Sequence, residues 1–253
     1  MFVRSTRHAV AGWLSAHPLA ALATGLVIVR GAVLVTGLDT VVFEEELYRG
    51  TIAKELIDGL KLPFIAYRPD PYSLGSLAVG ALAVAPFLLL GQTLIALKIV
   101  PLAFSLAALL ALFVLLDRVG GRRAAVAGGV LFVLAPPGPT QLSLFAMGFH
   151  TESVVFSLVI LLAWKRFLDE PEHGRRLALV GLAAGLGISF TYITALTVVA
   201  CLVSAALAGP RPSPRGIGWL LLGIGVGLAP WTAVNAASGL DRKSTRLNSS
   251  HRL

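Results

Sequence analysis

The sequence consists of long apolar runs separated by short charged clusters, and this pattern restricts the chain to very few folds. Of its 253 residues, 56% are hydrophobic and only 13% are charged, whereas soluble domains carry roughly 25% charged residues. Several runs reach the roughly 20 apolar residues needed to cross about 30 Å of hydrocarbon. The pattern predicts an all-α integral membrane protein, a polytopic helical bundle. It excludes a disordered chain, a DNA-binding protein and a disulfide scaffold, since the single cysteine, Cys201, lies in an apolar run.

The basic residues indicate the topology of the chain. The net charge is +8, and in a membrane chain such an excess is a topology signal rather than a nucleic-acid footprint, so we expect no nucleic-acid partner. Arg4, Arg7 and His8 precede the first apolar run, 18–38, which we interpret as an uncleaved signal anchor with a cytoplasmic N-terminus. Three later basic clusters should also be cytoplasmic: Arg118, Arg122 and Arg123; Lys165, Arg166, Arg175 and Arg176; and Arg211 and Arg215.

The sidedness of these clusters predicts about seven transmembrane helices. If the runs 72–91 and 94–116 both crossed, the Arg118 cluster would face outside. We therefore expect 72–91, which is short, Gly-rich and interrupted by Pro86, to be a juxtamembrane or re-entrant helical element on the outer side. The run 177–208 lies between two basic clusters, so it must leave and return, with a turn at 189–192. The predicted crossings are 18–38, 94–116, 124–140, 153–167, two short segments within 177–208, and 216–235.

Glycines in the later runs predict close contacts between helices. Gly181, Gly185, Gly223 and Gly227 stand at small-xxx-small spacing. No strand precedes them, which argues against a dinucleotide fingerprint.

The last residues do not resemble the rest of the chain. Residues 241–251 match, codon by codon, the translation of a common sequencing-library adapter. We therefore expect residues 1–240 to be a truncated N-terminal transmembrane module and residues 241–253 to be a non-native tail without a part in the fold.

Most acidic residues lie in the predicted outer loop, 39–72. Glu44 and Glu45 follow the first crossing, and a helix continuing through Glu55 would place Glu44 and Tyr48 on one face. We expect an active site here. A solvated amphipathic helix on the membrane surface fits the same spacing.

A second polar cluster, 148–152, precedes the crossing 153–167. Its His150 and Glu152 face the same side as Glu44 and Glu45 by topology, so two acidic sites could converge on one outward cavity. Paired carboxylates such as Glu45 and Glu152 either hold a divalent metal ion or divide the work of base and orienter, and the spacing does not choose between these. His150 is either an interfacial polar residue or a contact for metal or phosphate.

Three basic residues lie either inside a predicted crossing, where a positive charge is costly, or at a position from which they could bind an anion. Arg30, in the middle of the first crossing, must face the bundle, where it could pair with a carboxylate or a phosphate. Lys98 either snorkels to the interface or neutralises a lipid-linked phosphate. Arg68, in a Pro-rich stretch of the outer loop, could grip a phosphate bidentately.

Together these residues resemble a family, the GT-C superfamily of membrane glycosyltransferases, of the glycosyltransferase family 39 type that includes protein O-mannosyltransferases and lipid A aminoarabinose transferases. The resemblance covers residues 18–239. The family's acidic pair followed by Tyr is similar to Glu44, Glu45 and Tyr48, and its basic residue before Pro is similar to Arg68. Its second acidic site looks like Glu152. Later-helix motifs also look similar, namely residues 185–187 leading to Tyr192 and residues 227–231 ending at Asn235.

The resemblance implies transfer of a sugar from a polyprenyl phosphate to an acceptor on the outer face of the membrane, with inversion at the anomeric carbon. Glu44, Glu45 and Glu152 would be catalytic, with Glu45 and Glu152 as metal ligands if a divalent ion takes part. Tyr48, Arg68, Lys98 and His150 would bind substrate. The alignment gives Glu46 no role, so we expect its replacement to do little.

Two other classes fit the composition. In a multispanning lipid or solute carrier or flippase, Arg30, Lys98 and the acidic residues would form a substrate path, although carriers usually place binding groups near the midplane within repeats. A noncatalytic membrane scaffold is the third reading. In each case we expect a multi-pass protein of the plasma (inner) membrane of a bacterium.

Overall fold

The computed structural model describes residues 16–38, 41–67, 74–208 and 212–237. In this part of the chain 84% of the residues are helical and none is in a strand. The predicted all-α class is therefore confirmed. Arg4, Arg7, His8, Arg68 and the tail 241–253, for which predictions were made above, lie outside the described residues.

Nine α-helices and two short 3₁₀ turns make up the described part of the fold. The helices are α1 (Pro18–Thr36), α2 (Glu44–Asp58), α3 (Gly75–Leu90), α4 (Leu94–Val133), α5 (Pro137–Leu142), α6 (Thr151–Asp169), α7 (Arg176–Phe190), α8 (Ala195–Ala208) and α9 (Pro214–Ala237). The 3₁₀ turns are Phe64–Tyr67 and Tyr192–Thr194.

Most of the predicted apolar segments appear as helices close to their predicted bounds. The run 153–167 lies within α6, and 216–235 lies within α9. The run 177–208 is divided into α7 and α8, as expected from its polar residues, because the chain leaves the helix at Thr191 (φ −156, ψ 131). The predicted helix after Glu44 is α2, which continues to Asp58.

The long helix α4 is two helices joined at Gly121. This glycine has φ 74 and ψ 178, a left-handed backbone conformation that residues with a side chain rarely adopt. The second arm, 122–133, folds back on the first, 94–120, since Arg122 lies 4.9 Å from the ring centroid of Phe113. The same bend brings Gly128 against Leu116. Leu22 and Leu26 of α1 pack against both arms.

The predicted crossing 124–140 is wrong as a single helix. The second arm of α4 ends at Val133, and the separate helix α5 begins at Pro137. Pro136 and Pro137 explain the break, because proline removes a helical donor and disfavours helical backbone in the preceding residue. At 1.5 Å per residue, the second arm is only about 18 Å long.

The glycines of α7 and α9 bring these two helices into backbone contact, as predicted. A Cβ atom on Gly181 would lie 2.1 Å from the carbonyl oxygen of Leu220, and one on Gly223 would lie 2.2 Å from that of Ala178. Gly185 and Gly227 face each other in the same interface. No larger residue fits at this helix crossing without moving the helices apart.

Helices α2 and α3 form a layer across one end of the bundle. We call it the acidic end, since it contains Glu45, Glu46 and Glu152. The backbone N–H of Leu74, just before α3, donates to the carbonyl of Ser189 at 2.9 Å. Near the other end of α3, Phe87 packs with Leu97 at the start of α4. Both ends of α3 are thereby held at the acidic end.

Three of the described helices are long and apolar enough to cross a membrane: α1, α4 and α9. Their apolar surface is largely exposed: within the most apolar stretch of α9, only 11% of the residues are buried. Helices α3, α7 and α8 are apolar but shorter. The number of seven crossings and their orientation stay predictions.

Candidate functional site

A buried ion pair between Glu46 and Lys98 organises the acidic end. Both side chains are completely buried, and Lys98 Nζ lies 2.5 Å from Glu46 Oε1. The ammonium also donates to the carbonyl oxygen of Val41. The carboxylate also accepts from the backbone N–H of Phe43 and from that of Ala146, each at 3.0 Å. One carboxylate therefore ties the start of α2 to α4 and to the loop before α6.

This arrangement revises two expectations. Glu46, which the alignment left without a role, is the most enclosed of the three consecutive glutamates. Lys98, expected to contact substrate, has a structural partner, and its contact with substrate stays a prediction. A local signal pointed to Glu46: a glutamate three residues after an N-cap commonly accepts the cap's backbone N–H, as it does here from Phe43.

Glu44, Glu45 and Tyr48 lie on the outer surface of α2. Both glutamates are exposed, and 59% of the Glu45 side chain is accessible. Tyr48 is 37% exposed, and partial burial raises the pKa of its phenol. Glu44 and Glu45, two of the three predicted catalytic carboxylates, are therefore open to a ligand from outside the bundle, whereas Glu46 and the third, Glu152, are completely buried.

Arg49 links the two acidic sites, and the sequence argument did not single it out. Its guanidinium is buried, donates to the backbone carbonyl of Glu45 and reaches Ser76 Oγ at 2.9 Å. Its Nε–H has no hydrogen-bond partner in the described part of the chain. Burial lowers the pKa of Arg49, while the carboxylates of Glu45 and Glu152 act in the opposite direction. The sequence feature that could have identified Arg49 is its position four residues after Glu45, which places the two side chains on one face of a helix.

Glu152 is fully buried at the start of α6. One oxygen accepts from the backbone N–H of Gly148 at 3.2 Å, and the other from that of His150 at 3.1 Å. Gly148 adopts φ 87 and packs directly on the backbone of Gly75, so the loop that carries Glu152 is fixed against α3. Burial lowers the pKa of the His150 imidazole, and the negative charge of Glu45 opposes that effect.

A cavity of about 340 Å³ opens beside this cluster. It is lined by Arg30 and His150, together with Ser143 and mainly apolar side chains such as Phe132 and Val154. We call it the Arg30 cavity. Its volume falls within the range of about 300–1,000 Å³ typical of small-molecule sites.

Arg30 faces the bundle, as predicted, but its partners are neutral. Nε donates to Ser143 Oγ at 2.9 Å, and Nη1 donates to Thr140 Oγ1 at 3.0 Å. The remaining contacts are backbone carbonyls of Phe132 and Val133. Among the described residues no carboxylate pairs with it, so a buried positive charge lies at the wall of the cavity without an opposite charge.

The predicted metal ligands, Glu45 and Glu152, do not belong to a group of three or more possible metal ligands among the described residues. In the described ranges, three His, Cys, Asp or Glu side chains with mutually close ligand atoms occur at Glu170, Glu172 and His173. These are exposed and lie beyond the opposite end of α6, so they are unrelated to the acidic end. A metal ion held by Glu45 and Glu152 stays a prediction.

Comparison with known proteins adds no relative: no family model matches the sequence, and no curated protein and no solved structure matches it either.

Proposed function

We propose that the protein is a membrane glycosyltransferase that moves a sugar from a polyprenyl phosphate to an acceptor at the acidic end of the bundle. One observation carries the proposal. Two acidic sites that are distant in sequence meet at the buried Arg49: its guanidinium lies 3.9 Å from the Glu45 carboxylate and donates to Ser76, and the loop that holds Glu152 packs on the backbone of Gly75 and Ser76. A cavity containing a second, unneutralised guanidinium, Arg30, adjoins them.

The accessible carboxylates suit the role of base. In such a transfer the base removes the proton of an acceptor hydroxyl, whose oxygen bonds to the anomeric carbon as the bond from that carbon to the phosphate oxygen breaks. The electron pair leaves with the phosphate, and the configuration inverts. Glu45 is exposed and anchored through the backbone contact of Arg49, which favours it over Glu46. Glu152, bound by two backbone N–H groups, would orient the loop carrying His150.

The Arg30 cavity suits the donor phosphate. A phosphate oxyanion would supply the charge that Arg30 lacks, and charge-assisted hydrogen bonds from guanidinium to phosphate are strong. The cavity wall is mainly apolar and opens near exposed side chains such as Val154 and Ile193. An amphipathic donor, with one charged group and a hydrocarbon chain, fits these surroundings better than a soluble nucleotide sugar.

The arrangement of α3 supports a membrane-surface location for this site. Both ends of α3 contact the acidic end, as a juxtamembrane helix would, and not opposite ends of the bundle. We place the acidic end on the outer face, because the basic clusters around Arg118 and Arg166 gather at the other end of α6.

Sugar transfer from labelled polyprenyl-phosphate sugars to the acceptor fraction of membranes tests the proposal, using the purified protein in detergent. Glu45→Gln should lose a hundredfold or more in rate, on the order of 3 kcal/mol, because the amide keeps the shape but cannot accept the proton. Comparing the transfer rate of Glu44→Gln with that of Glu45→Gln shows which of the two candidate bases removes the proton. Asp58→Asn, at an exposed position at the far end of the same helix, is the matched control and should retain activity.

An anion carrier is the second candidate, because the uncompensated Arg30 would also suit a transported anionic amphiphile. Scrambling of a fluorescent anionic lipid across reconstituted vesicles, without any sugar transfer, would favour it. Equal transfer activity in the parent, Glu44→Gln and Glu45→Gln would contradict the glycosyltransferase proposal.

A further inference from the structure

A second cavity lies at the other end of α6, far from the acidic end. It has a volume of about 360 Å³ and is lined by three arginines from three helices: Arg118 of α4, Arg166 of α6 and Arg176 of α7. α6 has 19 residues, so about 28 Å of helix separates its two ends. We call this second site the basic cavity. The proposed sugar transfer makes no use of it.

The acidic residues of the basic cavity do not neutralise all three arginines. Asp169 is paired with Lys165, which lies one turn earlier on the same helix. Glu170 pairs with Arg176 at 2.5 Å. In the described part of the chain, Arg118 and Arg166 have no ion-pair partner, so two positive charges remain available at the cavity.

The guanidinium of Arg176 is held in place by its surroundings. Nη1 donates to the backbone carbonyl of Arg166 at 2.8 Å, and Nη2 donates to Glu170. Arg176 thus fixes the start of α7 against the end of α6, where both contribute to the cavity wall. The free guanidinium groups of Arg118 and Arg166 are presented from helices that pack together through Ala108, Ala111 and Leu158.

The surroundings of the basic cavity combine this charge with apolar surface. Leu179 lines the cavity and is 53% exposed, and Val119, next to Arg118, is 65% exposed. Exposed apolar side chains next to unpaired arginines are typical of the depth in a membrane at which the hydrocarbon core meets the lipid head groups. A ligand here would need an anionic group for the arginines and hydrocarbon for the adjacent apolar side chains.

We infer that the basic cavity binds the phosphodiester head group of an anionic glycerophospholipid. Guanidinium groups bind phosphate oxygens bidentately. Basic pockets between transmembrane helices are a known setting for anionic lipid head groups. A free phosphate would satisfy the charges but leave the apolar side chains that line the cavity, Leu179 and Ala163, without a partner.

The test measures lipid binding by the purified chain in detergent, through its melting temperature as lipid is titrated. Phosphatidylglycerol should raise the melting temperature of the parent, and phosphatidylcholine at the same concentration should not. Glycerol 3-phosphate, which carries the phosphate without acyl chains, should have no effect below a tenfold higher concentration. The double variant Arg118→Gln/Arg166→Gln should need at least tenfold more phosphatidylglycerol for the same stabilisation.

The control removes the same charge from the same end of the molecule. Arg123 and Arg175 are exposed and do not line the cavity, so Arg123→Gln/Arg175→Gln should bind phosphatidylglycerol as the parent does. Equal weakening in both double variants would overturn the inference, since it would show general surface attraction. Equal potency of glycerol 3-phosphate would overturn it in favour of a phosphate site.

A second measurement does not depend on the variants folding. Native mass spectrometry of the parent should retain one phosphatidylglycerol under activation that removes phosphatidylcholine. Loss of both lipids at the same activation energy would contradict a built site.

Discussion

Replacing Glu46 with glutamine is expected to destabilise the protein strongly, even though the side chain keeps its size. The carboxylate is completely buried and is the only charged partner of the completely buried Lys98 among the described residues. After the substitution, the ammonium would keep the carbonyl of Val41 but would face a neutral amide in place of a carboxylate. The amide nitrogen would also oppose one of the backbone N–H groups that now donate to Glu46.

The expected loss follows from the cost of an unpaired buried charge. Removing one partner of a buried ion pair typically costs about 3–5 kcal/mol. For a chain of this size, each kcal/mol lowers the melting temperature by roughly 2–4 °C, so we expect a decrease on the order of 10 °C. The assay is thermal unfolding in detergent, followed by near-ultraviolet circular dichroism.

Removing the orphaned charge should restore stability. Lys98→Met has a similar length without the ammonium, so the double variant Glu46→Gln/Lys98→Met should regain most of the lost stability. Glu44→Gln, at an exposed neighbour, should melt within 2 °C of the parent. A stabilising Glu46–Lys98 pair is contradicted if Glu46→Gln also melts within 2 °C of the parent, or if the double variant is less stable than the single one.

Three further outcomes are expected. Gly223→Ala should lower the free energy of unfolding by about 1–3 kcal/mol, because its Cβ would meet the Ala178 carbonyl. Gly225→Ala, at a position with open space around it, should leave the free energy of unfolding unchanged. Equal effects of the two substitutions would be inconsistent with the α7–α9 contact. Burial lowers the folded pKa of His150, so the unfolded state binds more protons below about pH 6.5. The parent should therefore lose more stability between pH 7 and 5 than His150→Gln; equal losses in melting temperature would contradict this. A cysteine at position 92, beside α3, should be labelled from the outer face; labelling only from the cytoplasmic face would show that α3 crosses the membrane.

The class of fold and most helix ends follow from local features of the sequence. Apolar runs, prolines and polar interruptions act locally, so the bounds of α6, α7, α8 and α9 follow from nearby residues. The spacing of Gly181 and Gly223 predicted helix contacts at these faces, whereas the pairing of α7 with α9 is known from the structure. The end of α4 at Val133 could have been predicted from Pro136 and Pro137. The apolar character of the run 124–140 instead led to the prediction of one continuous crossing.

Which charges are buried depends on contacts between residues that are distant in sequence. Glu44, Glu45 and Glu46 are identical in chemistry and consecutive in sequence, and successive helical positions differ by about 100° in direction. Which of them points inward depends on how α2 lies against Lys98 and the backbone of Ala146. These contacts join residues 52 and 100 positions apart. Local sequence offers Glu46 only the capping contact with the backbone N–H of Phe43. The contacts with Lys98 and Ala146 exist only once α4 and the loop before α6 surround the carboxylate.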